Sequence, residues 1–452
     1  MTNTDPDFQK VIKQDKAYSY AFNIKEGKAN GKYLYCLEDD KFYHYKQGYW
    51  EMLYEKDFLG KIQESMPEIT KFALSRRKQI TDNYKILGRK HLNSFNWSNL
   101  INLKNTMINP LTGVPIDHDP SFYSTIRLPY TYDENAKCQL WEETLLEIFE
   151  FDLLKIHSLQ EYFGYCLTKE TNQIMSLLLL GESKSGKSTL THVLRHMVGL
   201  ENSSSVSMEN ISNAQYTPLL INKLINIDSD VSENSKNFEA QFKIITSGEP
   251  INCNQKFVPT FEFLPYCKII MAANAFPRIT DHTSAFYNRL LIIPCDRVFL
   301  PEQQDRTLKV RLLEELPGIL LWSMQGLKNL NQRGRFEEKD FMRDAIEELR
   351  DESNPIDVFF RDHIEAELKQ GFQVEKNELY KKYEDWCIRN GNRPLSSIKF
   401  GKSVYQKYSK FSEKNSQCFS TGKRIWRNLR YVDFREIIKK ESINWQDIEA
   451  KV

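Results

Sequence analysis

Nine consecutive residues, Gly181-Glu182-Ser183-Lys184-Ser185-Gly186-Lys187-Ser188-Thr189, constrain this chain more than any others. They fit the pattern G-x-x-x-x-G-K-[ST], the phosphate-binding loop of nucleoside triphosphatases. Average residue usage would give that pattern in only about one or two chains in a hundred of this length. The flanks supply the context that the chemistry needs. Met175 to Leu180 is a short apolar run that reads as a buried strand. Lys187 to Val198 places Leu190, Val193, Leu194 and Met197 at helical spacing. In a strand, glycine loop and helix in this order, backbone N–H groups close around phosphate oxygens and the helix dipole favours the anion. Lys187 is placed for the β- and γ-phosphates of ATP, and the Ser188 hydroxyl for Mg²⁺.

The 452 residues allow two to four domains, and 40% hydrophobic with 27% charged residues is ordinary for a globular chain. No apolar run approaches the ~20 residues of a membrane span. The polar stretch Met1–Lys16 has no signal-peptide core, so a cytoplasmic protein is expected. The eight cysteines form no C-x-x-C pair, which argues against a zinc ribbon or a disulfide framework. His192 and His196 lie one helical turn apart, but position 193 is Val, so the zinc-protease pattern fails and both read as ordinary helix residues. Charge is uneven. Arg393 to Arg430 holds ten Lys/Arg and one acid, a surplus of nine in a chain whose net charge is +1. A basic block of this kind suits a polyanion such as nucleic acid.

Along the chain, Met1 to about Ile80 reads as a small α+β unit. Lys41 to Trp50 reads as an aromatic hairpin whose rings fill a core rather than stack on bases. Asn99 to Tyr132 is rich in turn residues, and Trp141 to Thr168 reads as helical. From Gln173 to about Asp296 apolar runs alternate with polar connections, as in an α/β domain.

Three further positions in that span carry possible chemistry. Leu224–Ile227 is a buried strand with Asp228 at its C-terminal end, where open α/β sheets place ligands. Asp228 suits Mg²⁺, and Asp230 lies close enough to polarise an attacking water. Lys268–Ala273 is another buried strand ending in Asn274, either a γ-phosphate contact or a turn residue. Arg289 precedes the run Leu290–Pro294, either as a surface residue or as a group that enters a neighbour's nucleotide site. Ile251–Val258 reads as a short hairpin with Lys256 near a basic tip.

At the C-terminal end, Asn377–Asn390 and Ile398–Tyr408 read as helices, followed by a basic β-hairpin over Phe419–Tyr431. Helix, helix, hairpin is the order of a winged helix. Lys399 and Lys402 lie on its second helix, and Lys423, Arg424 and Arg427 on the hairpin.

With these residues placed, the chain resembles superfamily 3 helicases of the phage, plasmid and poxvirus primase-helicase type, and more narrowly the replication initiator helicases of staphylococcal mobile genetic elements. Asn102–Asn105 with Asp117–Pro120 resembles a segment of the pre-helicase domain; Gly181–Thr189 is similar to motif A and Ile225–Asp230 to motif B. Lys243–Glu249 with Lys256 resembles motif B′ and its DNA-gripping hairpin, Met271–Pro277 resembles motif C, and Arg289 stands where an arginine finger is expected. Leu379–Trp386, Leu395–Gly401 and Gly422–Trp426 resemble the C-terminal winged helix.

The resemblance implies an α/β fold with an AAA+ P-loop NTPase core. It divides the chain into a pre-helicase α+β domain over 1–135, a helical collar over 136–172, the core over 173–345 and a winged-helix domain over 346–452. It implies a ring, a homo-hexamer, that hydrolyses ATP with Mg²⁺ and moves 3′ to 5′ on DNA. The winged helix would choose the replication origin, and host replication proteins are possible partners. The spacing Asp228-Ser229-Asp230 departs from the adjacent acids of many members, which leaves open which carboxylate meets Mg²⁺. The 180 residues before the loop leave no room for a polymerase-type primase domain, so no primase activity is expected. An origin-binding ATPase switch that melts or loads without processive unwinding shares the same motifs. A small-molecule kinase would not need the basic block.

Overall fold

The computed structural model describes residues 15–27, 31–232, 238–254, 258–277, 279, 284–367, 372–410 and 423–432. The chain divides into two compact units, 1–346 and 347–452.

The first unit begins with α1 (Lys16–Lys25), capped by the Asp15 carboxylate. Strands β1 (Lys32–Cys36), β2 (Lys41–Lys46) and β3 (Tyr49–Leu53) form an antiparallel meander, with β4 (Arg89–Lys90) parallel to β1. Gln47 and Gly48 both take positive φ, 50° and 88°, the turn that a two-residue hairpin requires. Phe42, Tyr43 and Trp50 are buried, and Phe42 stacks on Phe58 of α2 (Glu55–Ser65) at 4.2 Å between ring centroids. Tyr84 of α3 (Leu74–Leu87) closes this core. These rings therefore serve packing, as expected for an aromatic hairpin in a small core. Two-residue strands β5 (Ile101–Asn102), β6 (Met107–Ile108) and β7 (Pro115–Ile116) follow.

Helices α4 (Gln139–Ile148) and α5 (Leu153–Cys166) lead to the central sheet. Its five strands are all parallel. They are β8 (Ser176–Leu180), β9 (Ser203–Ser204), β10 (Ile225–Asp228), β13 (Lys268–Ala273) and β14 (Leu290–Pro294), in the spatial order β14-β8-β13-β10-β9. β8, β10 and β13 are almost wholly buried; β8 and β13 are mostly apolar, whereas β10 carries the buried polar Asn226 and Asp228. Between them lie α6 (Lys187–Val198), α7 (Glu239–Ser247) and an antiparallel hairpin of β11 (Ile251–Cys253) and β12 (Phe261–Phe263). Helices α8 (Ser284–Tyr287), α9 (Leu308–Glu314) and α10 (Leu316–Arg333) complete the unit. The Glu315 carboxylate accepts from the Leu140 and Trp141 amides at 3.1 and 2.9 Å, and Trp322 packs edge-on against Trp141 and Phe163. One helical layer is thus assembled from segments on both sides of the sheet in sequence. The region 136–172 does not make it alone.

Helix α11 (Asp340–Ser353) spans the division between the units. The second unit then contains α12 (Pro355–His363), β15 (Ile364–Ala366), β16 (Gln373–Glu375), α13 (Lys376–Arg389), α14 (Ser397–Tyr408), β17 (Ile425–Arg427) and β18 (Leu429–Tyr431) around an aromatic core of Phe359, Phe360, Tyr383, Phe400 and Trp426. Of the expected basic hairpin over Phe419–Tyr431, only residues 423–431 are described. β17 pairs with β16 and β18 with β15, while only Asn428 separates β17 from β18. Asn428 takes φ 56°, and its N–H donates to Phe372 O at 2.6 Å. Lys423, Arg424, Arg427 and Arg430 therefore lie along one bent segment, whose antiparallel partners come from 364–375. The turn expected at Thr421–Gly422 lies outside the described residues.

Candidate nucleotide and nucleic-acid sites

The phosphate-loop geometry follows from a few local constraints. Gly181 takes φ 155°, and a Cβ there would stand 2.2 Å from Cys295 O. Gly186 takes φ 92° as the N-cap of α6, with no side chain capping the helix. No side chain then competes with an anion for the start of α6, and a buried strand ends at the same point. Lys184 holds φ 67°, unusual for a residue with a side chain and characteristic of strained functional loops. Phe299 N donates to Lys184 O at 3.1 Å and Cys295 N to Leu180 O at 2.6 Å, so the segment after β14 walls the loop.

Lys187 points its Nζ into this cup, donating to Gly181 O (2.6 Å), Glu182 O (2.7 Å), Ser185 Oγ (3.3 Å) and Asn274 Oδ1 (3.1 Å). Burial pushes the Lys187 ammonium below the usual lysine range, opposed by the charge of Asp230 and by Cys295. Ser185 is buried, Gly181, Gly186 and Thr189 are half-buried, and Glu182, Ser183, Lys184 and Ser188 are exposed.

Asp228 ends β10, two strands from β8, with β13 between. It is buried; its Oδ2 accepts from Met208 N at 2.7 Å, and its Oδ1 from Asp230 N at 3.5 Å. Asp230 is exposed. The C-terminal edge of one sheet therefore carries Lys187 and Ser188 after β8, Asn274 after β13, and Asp228 with Asp230 at β10. The exposed Ser188 hydroxyl and the buried Asp228 carboxylate offer hard oxygens of the type Mg²⁺ prefers.

Arg289 lies elsewhere. Leu290 pairs with Ser176 and Pro294 with Leu180, so Arg289 stands at the opposite edge of the sheet from the loop that follows Leu180. Five residues of strand separate the two edges, about 16 Å. The Arg289 carbonyl accepts from Ser176 N and Oγ at 2.8 and 2.7 Å, and its Nη2 donates to Ser247 Oγ at 3.1 Å. Its Nε is buried without an acceptor. Lys256 lies outside the described residues; only the arms of its hairpin, β11 and β12, are described.

In the second unit Lys399 and Lys402 are exposed on α14, and Lys423, Arg424 and Arg427 are exposed near β17. Part of the basic block is neutralised within the unit. Lys423 pairs with Glu375 at 2.8 Å, Lys407 with Asp357 at 2.7 Å, and Arg430 with Glu365 at 2.5 Å. Sequence reading missed these partners because 48 to 65 residues separate each pair. It missed Met208, which lies in no motif, and the contact of Ser247 with Arg289, 42 residues away in the chain.

Residues 24–150 match the family described as D5 N terminal like, and residues 351–439 match the poxvirus D5 protein-like family. Both flanks are D5-like. Between them, residues 179–289 match a family of unknown function, DUF5906, which covers the phosphate loop through Arg289. Two apo structures of the NrS-1 C-terminal region, residues 305–718, are similar in fold, each with a TM-score of 0.55 over 92% of this chain. The A form is 13% identical and covered over 100% of its length; the other is 12% identical and covered over 99%. No curated protein matches. The chain is thus similar to D5-type families on both flanks and shares its fold with the NrS-1 C-terminal region. No helix among the described residues is long and apolar enough to cross a membrane.

Proposed function

We propose that this protein is an ATP-hydrolysing DNA helicase and replication initiator of the superfamily 3, AAA+ type, working as a ring. The observation that carries the reading is the gathering of Lys187, Ser188, Asn274, Asp228 and Asp230 at one sheet edge, with Arg289 at the other. A single subunit then holds phosphates but cannot bring Arg289 to them; head-to-tail neighbours can. We assign the pre-helicase region to 1–135, the collar to 136–172, the core to 173–345 and the DNA-reading domain to 346–452.

In this reading the loop amides and Lys187 bind the triphosphate, whose oxygens replace the carbonyls now facing Nζ. Mg²⁺, held by Ser188 and Asp228, would supply charge neutralisation at the phosphates. Asp230 orients the attacking water and accepts its proton. Asn274 accepts from Lys187 through Oδ1, which leaves its Nδ2 to donate to the γ-phosphate. Arg289 of a neighbour meets the developing charge. Lys256 grips the DNA backbone, and the helix carrying Lys399 and Lys402, with Lys423, Arg424 and Arg427, selects the origin. Backbone contacts carry no sequence information, so selection falls to this second unit.

The test is unwinding of tailed duplexes with ATP and Mg²⁺, comparing wild type with Lys187→Ala. Unwinding by wild type alone, preferring a 3′ tail, is expected. DNA-stimulated hydrolysis without unwinding would instead assign an origin-binding ATPase switch.

A further inference from the structure

The loop between α4 and α5 holds an unusual pair. Glu150 and Phe151 take φ 50° and 64° in succession, a left-handed conformation that residues with side chains rarely adopt twice running. Phe151 N donates to Leu146 O at 2.9 Å and Asp152 N to Phe149 O at 2.9 Å, which fixes the reversal. The result is an aromatic ring 72% exposed, beside Leu153 at 54% and Leu154 at 48%. Strain that holds a large apolar ring in water calls for a functional account.

The surroundings supply one. The stretch is pinned on both sides to the wall of the phosphate loop. Before it, Arg297 Nη1 donates to Glu147 O at 3.1 Å; after it, Lys155 Nζ pairs with Asp296 at 2.6 Å. Asp296 follows Cys295, whose carbonyl faces Gly181. Ile148, three residues before Phe151, lies directly against Gly186, where an added Cβ would meet its Cδ1 at 2.8 Å. Phe151 therefore lies in a short loop whose flanks, at Glu147, Ile148 and Lys155, contact the phosphate loop and the segment that walls it.

We infer that Phe151, with Leu153 and Leu154, forms the platform on which the base of the bound nucleoside triphosphate stacks. This rests on the reading of Gly181–Thr189 as a nucleotide site and adds the base subsite to it. An aromatic face offers area without edge readout, because every base has a π-face. The platform therefore accepts ATP and GTP alike and distinguishes both from a bare polyphosphate.

The experiment measures binding of ATP, GTP and inorganic tripolyphosphate, each with Mg²⁺, to the full chain and to Phe151→Ala, Phe151→Trp and Lys187→Ala. Phe151→Ala should weaken ATP and GTP about 5- to 100-fold, the range that base stacking carries, and leave tripolyphosphate unchanged. Phe151→Trp should bind ATP as wild type does. Equal weakening of tripolyphosphate by Phe151→Ala, or unchanged ATP affinity, overturns the platform. Unchanged ATP affinity with loss of self-association would give the patch to a second copy of the chain. Failure of the phosphate-loop reading has its own signature: Lys187→Ala would then bind tripolyphosphate as wild type does.

Discussion

The Lys187 ammonium and the Asn274 carboxamide meet at 3.1 Å, although 87 residues separate them in the chain. The contact joins the loop after β8 to the end of the neighbouring strand β13. It orients the carboxamide so that its NH₂ faces away from the lysine. Asn274→Ala should remove the donor while leaving the loop's own amides intact. ATP hydrolysis is expected to fall on the order of 100-fold in kcat with KM nearly unchanged, the pattern of a contact made in the transition state. Steady-state hydrolysis across ATP concentrations checks it; a rise in KM at constant kcat would assign Asn274 to ground-state binding.

Arg289 and Lys187 occupy opposite edges of the sheet, so their defects should lie in different sites of an assembly. Arg289→Ala alone and Lys187→Ala alone should each lose about 10³-fold or more in hydrolysis. Mixed subunits should regain measurable activity, because an intact loop from one variant then meets an intact arginine from the other. Titrating one variant into the other and following phosphate release decides this. A mixture no more active than its components would place Arg289 outside the chemistry.

The local parts of this site were legible because their signals are local. Helix α6 starts at Lys187 and ends at Val198 as read, since Gly186 precedes it and Gly199 follows. β13 likewise begins at Lys268 and ends before Asn274. The sheet order was not legible, because no short-range pattern says that β14 lies beside β8. That pairing is what carries Arg289 to the far edge. Neither was the bend at Asn428 legible, since a single left-handed asparagine divides 425–431 between two partner strands. The ion pairs of Lys407, Lys423 and Arg430 stayed hidden behind sequence separation, so the charge count overstated the free positive surface.

Lys268 gives a pH dependence of stability. It is fully buried at the start of β13, donating to Thr168 O at 2.5 Å and Tyr266 O at 3.2 Å, and burial pulls its ammonium down to about 7. Lys169 is shifted the same way, to about 8. The folded chain sheds these protons while the unfolded chain holds them up to the ordinary 10.5. For these two groups the unfolded state binds more protons between about pH 7 and 10.5, so their contribution to stability rises with pH across that window, opposed above about pH 8 by the buried thiols, whose protons the folded chain keeps longer. Lys268→Met should make the slope less positive between pH 7 and 8, with Lys169, Lys187 and Lys223 still contributing in the same sense. Chemical denaturation at pH 7, 8, 9 and 10 reads it; an unchanged slope would mean that Lys268 titrates normally.

The ion pairs of the second unit predict unequal roles for its basic residues in DNA binding. Lys399 and Lys402 are exposed on α14, whereas Lys423 is held by Glu375 at 2.8 Å. A cation already paired with a carboxylate must give up that partner before it contacts a phosphate. Each phosphate contact contributes a slope of about −0.9 to the dependence of log affinity on log salt. Lys399→Ala with Lys402→Ala should therefore reduce the slope by about 2 and weaken binding at low salt on all sequences. Lys423→Ala should change the slope by less than one contact's worth. Glu375→Gln should strengthen binding at low salt, because it frees the Lys423 ammonium. Fluorescence anisotropy with a labelled duplex between 50 and 200 mM salt, a range wide enough for such slopes, measures all four. Equal slope losses for Lys399, Lys402 and Lys423 would show that the Glu375 pair opens at no cost when DNA binds.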